Sequence, residues 1–172
     1  MAAWWFGTYA VCPATRILLN LEATLLTQRR GQANHFYRFA PERIPYPTQR
    51  YVGESERLFG VLDIRLKDRD YLAGPGRGKY STADIANFSW VNWSIFAGME
   101  ISKWPNLERW QKAIEARPAV EKGVNIPSEP FGTNKMWKKK LESDDEQRKK
   151  DEGLKEELKK AQEQYKYKYS AP

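Results

Sequence analysis

His35 is the only histidine and Cys12 the only cysteine in a chain of 172 residues, so neither a Cys/His zinc cluster nor an intrachain disulfide can be assembled. His35 lies in a polar run, Gln32-Ala33-Asn34-His35-Phe36, with Arg38 close by. No carboxylate or thiol stands at ligand spacing from it, so the imidazole reads as a packing or pocket-lining group rather than a catalytic one. Cys12-Pro13 precedes a predicted helix, and a helix N-terminus lowers a thiol pKa, but no partner group accompanies it and it reads as inert. The loop Gly74 to Gly78 lacks the Lys-Ser/Thr ending of a phosphate loop and is read as a turn. Tyr165-Lys166-Tyr167-Lys168-Tyr169 alternates aromatic and basic residues in a way that could stack on bases or lie on a membrane surface. At a chain end it reads as a sticky terminus.

The elements that must position these residues are helical. Ile17, Leu18, Leu21, Leu25 and Leu26 predict a helix over 14–28. A second helix begun near Gln32 must stop before Pro41, and Pro41, Pro45 and Pro47 predict a connecting loop. Tyr51, Leu58, Leu62 and Leu66 then mark one face of an amphipathic helix from Thr48 to about Asp70. Ser81 and Asp84 predict an N-terminal capping box, a short variant of the Glu/Gln form, with Tyr80 stapled onto Ile85. The apolar residues from Ile85 to Phe96 surround that helix on nearly every side and predict a buried central spine. Pro105 opens a further helix carrying Leu107, Trp110 and Ile114, and Pro118 ends it. A short turn reaches Gly123.

Beyond residue 126 the composition changes to a charge-rich tail in which acids precede bases by four residues, as in Asp151 with Lys155 and Glu156 with Lys160, a pattern that supports an exposed helix. The chain therefore divides into a segment over 1–30, a helical domain over 31–126 and a charged tail over 127–172. The formal charge of +7 comes from 29 basic and 22 acidic residues interleaved along the sequence, which argues against nucleic acid as the main partner. Met1 to Val11 is apolar but lacks a positive flank, and no run approaches the roughly 20 apolar residues of a membrane span. The expected address is the cytoplasm.

Taken in order, Gly31 to Phe36, Pro41 to Tyr46, Gln49-Arg50-Tyr51, Arg57-Leu58-Phe59-Gly60-Val61-Leu62, Tyr71-Leu72-Ala73-Gly74, Tyr80 to Ala86, Trp90-Val91-Asn92-Trp93, Trp104-Pro105-Asn106-Leu107 and Arg117-Pro118-Ala119-Val120 resemble the helical C-terminal domain of glutathione S-transferases. The likeness is strongest to the bacterial and fungal branch that includes the yeast nitrogen-catabolite regulator. It implies an all-α bundle with the thioredoxin-like domain absent, since the run from Pro13 to Gln32 is too short to hold the rest of a thioredoxin fold.

In that family the thioredoxin-like half binds glutathione and the helical half shapes the electrophile pocket. The resemblance therefore implies that Gln32, Asn34, His35 and Phe36 face the missing half and that Arg50 approaches glutathione across a dimer. Glutathione is the implied co-substrate, and no metal or other cofactor is expected. Because conjugation needs a positioned thiolate, the chain alone is expected to have little or no transferase activity. Two other readings of the same residues are a helical protein-interaction module and a truncated or misassembled product of a full transferase gene. An uncovered inter-domain face predicts a homodimer or a protein partner.

Overall fold

The computed structural model describes residues 27–126 and 133–165, and the predictions made for Cys12, for all but the last two residues of the helix over 14–28 and for the end of the tail lie outside them. Helix α1 spans Thr27–Asn34 and runs straight into a π-helical turn, His35–Phe39, closed by the Ala40 amide donating to the His35 carbonyl at 2.7 Å. Gly31 lies inside α1 rather than before it, so the predicted break near Gln32 does not occur. Helix α2, Pro45–Leu66, opens with proline in its first turn. The loop predicted through Pro45 and Pro47 is therefore helix, because first-turn amides have no intrahelical acceptor to lose. α2 also ends earlier than Asp70: the Arg109 guanidinium donates to the Leu66 and Arg69 carbonyls at 2.6 and 3.1 Å, satisfying acceptors that another turn would have used.

Helix α3 is Thr82–Val91, α4 is Pro105–Glu115, α5 is Pro118–Val124, α6 is Asn134–Ser143 and α7 is Asp145–Tyr165. Short 3-10 turns at Ile95–Ala97 and Ile101–Lys103 link α3 to α4. Among the described residues there is no strand, and the architecture is all-α, as the sequence predicts. The core forms where Leu58, Phe59, Leu62 and Leu66 of α2 meet Leu107, Trp110 and Ile114 of α4, with Phe88 and Val91 of α3 beside them. Asp63 on α2 caps α4 from across this contact, accepting from the amides of Asn106 and Leu107 at 2.8 and 2.9 Å.

The predicted spine is shorter than its apolar run. α3 stops at Val91, Trp93 to Phe96 leave it in the following turns, and Ile85 is 55 % exposed. Tyr80 does not need Ile85 as a staple, because it packs edge-on against Tyr71 and beneath the Arg117 guanidinium. Gly98 closes the turn after α3 with φ of 76°, and a Cβ there would stand 2.6 Å from the Tyr37 ring. That position admits only glycine without rearrangement.

Ser81 and Asp84 form the predicted capping box. Asp84 Oδ2 accepts from the Ser81 amide and hydroxyl at 2.9 and 3.0 Å. Its other oxygen, Oδ1, accepts from the Leu72 amide and the Trp110 indole N–H, both at 2.9 Å. A fully buried carboxylate thus ties the Gly-rich loop, α3 and α4 together. Arg30 is its cationic counterpart on α1, equally buried. It donates from Nη2 to the Trp93 carbonyl at 3.0 Å and lies over the Phe59 ring, while Nε and Nη1 have no partner. Burial pulls its pKa down to about 9, still above neutrality, so the cation persists and its desolvation cost is retained.

Replacing Asp84 with Asn should lower the unfolding free energy by about 2–4 kcal/mol, since in either orientation the amide nitrogen would confront an N–H donor, that of Ser81 or those of Leu72 and Trp110; urea denaturation measures it, and a loss below about 0.5 kcal/mol would contradict the hub. Arg30→Met should leave stability unchanged or raise it, because it removes an unpaired buried charge while keeping most of the volume. A large loss in the same assay would mean that the guanidinium contributes more than its single hydrogen bond accounts for.

Candidate functional site

The five residues implicated by the family likeness do not converge on one pocket. Gln32 and His35 are exposed on the outer face of α1 and the π turn, Asn34 and Phe36 are half-buried, and Arg50 is exposed on α2. His35 meets the Phe36 ring edge-on at 5.1 Å, and Phe36 stacks on Tyr51 at 5.5 Å with nearly parallel planes. Asn34 Oδ1 is buried without a partner. No hydrogen bond, ion pair or ring contact joins Arg50 to the other four among the described residues. This face offers hydrogen-bonding groups and an aromatic platform for a bound molecule, but no nucleophile-base pair at proton-transfer distance.

A half-open pocket of about 200 Å³ lies on the neighbouring side of the π turn, between Phe36, Tyr37, the Arg43-Ile44-Pro45 corner, Thr48 and helix α7. Of the five sequence-derived residues only Phe36 reaches it. Thr48 fixes the corner by donating to the Ile44 carbonyl at 2.8 Å, and Arg43 donates to the Tyr37 carbonyl at 3.0 Å. Tyr37 is almost fully buried with its hydroxyl unpartnered. Desolvation, and then the nearby Asp151 charge, push its phenol well above the usual range, so it stays protonated.

Helix α7 walls this cavity because the tail folds back onto the helical domain. Its charged sides remain in solvent, while Leu154, Leu158 and Ala161, four and three residues apart, turn inward toward α2. Asn134 anchors the start of α6: its amide donates to the Asn92 carbonyl at 2.6 Å, its side chain donates to Ser94 Oγ at 2.9 Å, and its Oδ1 accepts from the Ile95 amide at 2.9 Å. Further on, Arg38 pairs with Asp151, both side chains buried, and donates to the Phe96 carbonyl. The guanidinium sits 4.4 and 4.6 Å from the ring centres of Phe96 and Trp137, and Trp93 stacks on Phe96 at 4.5 Å. Sequence reasoning missed Arg38, Trp137 and Asp151. The one legible signal was the spacing of Leu154, Leu158 and Ala161, which the surrounding charges obscure.

An all-helical body with an internally hydrogen-bonded capping box and an exposed face on its first two helices defines a class that comparison with known proteins makes specific. Residues 48–118 match the family model of the glutathione S-transferase, C-terminal domain. The disulfide-bond oxidoreductase YfcG of Escherichia coli is 39 % identical over 90 residues, 52 % of this chain and 40 % of that protein. A glutathione transferase from Burkholderia graminis, crystallised with two glutathione molecules per subunit, superposes with a TM-score of 0.59 at 34 % identity, covering 66 % of this chain and 49 % of that one. Ure2p in complex with glutathione superposes with a TM-score of 0.61 at 28 % identity, covering 70 % and 55 %. Residues 48–118 thus match the glutathione S-transferase C-terminal domain, and the helical body is similar to that of bacterial and fungal members of the family. The chain spans about 40 % of the length of the curated relative and about half of the solved ones.

With Asn134, the Arg38–Asp151 pair is a buried polar tie between tail and domain; the half-exposed Lys155 stands 3.3 Å from the other Asp151 oxygen but compensates it only partly, and removing one partner of a buried pair leaves the other charge poorly matched. Arg38→Met or Asp151→Asn alone should each cost about 3–5 kcal/mol, whereas the double variant should cost clearly less than the sum. Urea titration of the three variants checks this, and additive losses would show that the two side chains act independently.

Proposed function

We propose that this chain is a glutathione transferase-like protein that presents the helical, electrophile-side half of the family's site and has little or no transferase activity by itself. The observation that carries the reading is the matching helical domain with its exposed α1 face, on a chain whose described residues contain no strand. Conjugation requires a thiolate held by a donor and aligned with an electrophile at close range. The α1 face provides surface for an acceptor molecule, and among the described residues it carries no group positioned to hold a glutathione thiolate. The Burkholderia graminis transferase and Ure2p both hold glutathione in their structures, which supports glutathione as the co-substrate once a thioredoxin-like half is brought against Gln32, Asn34, His35 and Phe36. Arg50, exposed on α2, would then reach toward glutathione held by a second subunit.

A second reading, a helical protein-interaction module, is favoured by apolar side chains left at the surface, with Phe39 65 %, Ile64 56 % and Ile85 55 % exposed. Such a surface suits a homodimer or a protein partner. No helix among the described residues is long and apolar enough to cross a membrane.

Calorimetric titration of glutathione into the full chain, followed by an assay with a chloronitrobenzene electrophile, separates the possibilities. The expected result is neither saturable binding nor turnover. Saturable binding with turnover would overturn the inactive reading and make the chain an enzyme in its own right.

A further inference from the structure

We propose that the cavity under α7 is a binding site for a small amphipathic anion, an aryl or short-chain body ending in one carboxylate. Its volume is about 200 Å³, and an apolar cavity of about 150 Å³ is enough to hold benzene, so a substituted ring fits. The walls facing this space are apolar: Phe36 from the π turn, Ile44 and Pro45 from the corner, and Leu154, Leu158 and Ala161 from α7. Burying a ring against them removes apolar surface on both sides from water.

The charge at the same cavity selects the polar end. Arg43 and Lys160 both line it, and neither belongs to an ion pair among the described residues. Arg43 spends one N–H on the Tyr37 carbonyl, and Lys160 has no hydrogen bond among the described residues. Glu157 also lines the cavity, leaving two cations against one carboxylate. A ligand with an apolar body and a single negative charge answers both features, whereas a cation would leave Arg43 and Lys160 uncompensated and a neutral ring would leave them unused. Thr48 does not compete for the ligand, because its hydroxyl already donates to the Ile44 carbonyl.

The assignment is separate from the glutathione reading. Phe36 is shared, but Gln32, Asn34, His35 and Arg50 lie outside this cavity, and either reading can fail without the other. The site also requires the tail: α7 supplies half of the apolar wall and one of the two cations, and its place is held by Asn134 and by the buried Arg38–Asp151 pair.

The test is calorimetric titration of phenylpropionate, and separately of its neutral amide, into the full chain and two variants. Saturable phenylpropionate binding with Kd at or below about 1 mM is expected, with the amide binding at least several-fold more weakly. Lys160→Glu, at an exposed position, should weaken phenylpropionate about tenfold and leave the amide unchanged. Ala161→Phe, which fills the cavity, should abolish binding of both while helical circular dichroism is retained. The proposal is overturned by absence of saturable binding, by equal binding of acid and amide, or by phenylpropionate binding that Lys160→Glu does not change. Undiminished binding to a folded Ala161→Phe chain would equally place the ligand elsewhere, and should that variant not fold, the Lys160→Glu comparison still decides.

Discussion

The buried carboxylate of Asp84 imposes the strictest condition on this fold. A charged group removed from water is tolerated only when its lone pairs are met by donors, and here four donors converge on it: the amide and hydroxyl of Ser81, the amide of Leu72 and the indole of Trp110. These groups come from the entry to the Gly-rich loop, the start of α3 and the middle of α4. None can move away without leaving the charge short of a partner, so the three segments must assemble together. Trp110 in turn meets Phe88 edge-on inside the core, which couples the polar hub to the hydrophobic contact between α3 and α4.

Two further segments attach by other means. α1 has a polar sequence, and single large side chains of α1 and the π turn set its position: Arg30 reaches the Trp93 carbonyl and the Phe59 ring, and Tyr37 fits against Gly98. The tail is held by a narrow apolar stripe, by Asn134 and by Arg38 with Asp151. Polar anchors of this kind fix position at discrete points rather than over a continuous surface. Space is left between anchors, and the cavity between the π turn and α7 is such a space.

The division of labour in a glutathione transferase-like site follows from what helices of this kind can offer. An amphipathic bundle directs its apolar stripes inward and presents short faces of mixed polarity outward, which suits binding an acceptor molecule. Activating a thiol requires a donor held at one defined point beside the sulfur, and the α1 face has its polar groups spread along a surface. The match to that family and the proposed inactivity are therefore compatible, since the first concerns the fold and the second the activation of a thiol.

The sequence by itself determined the class of fold and the order of the helices. Heptad-like spacing in α2, proline at the start of α4 and the Ser81–Asp84 pair are local signals, each arising from backbone geometry within a few residues. The residue order from Gly31 to Val120 was also enough to point to the glutathione S-transferase C-terminal domain. Tertiary structure decided what depends on distant partners. The Asp84 box extends to Leu72 and Trp110, Arg109 stops α2 short of Asp70, and Ile85 is left at the surface. Arg38 finds Asp151 across a long stretch of chain, and the charged tail becomes a wall of a cavity that only Phe36 among the sequence-derived residues touches. Burial and pairing across the fold are set by three-dimensional neighbours, and no spacing along the chain encodes which neighbour a side chain will meet.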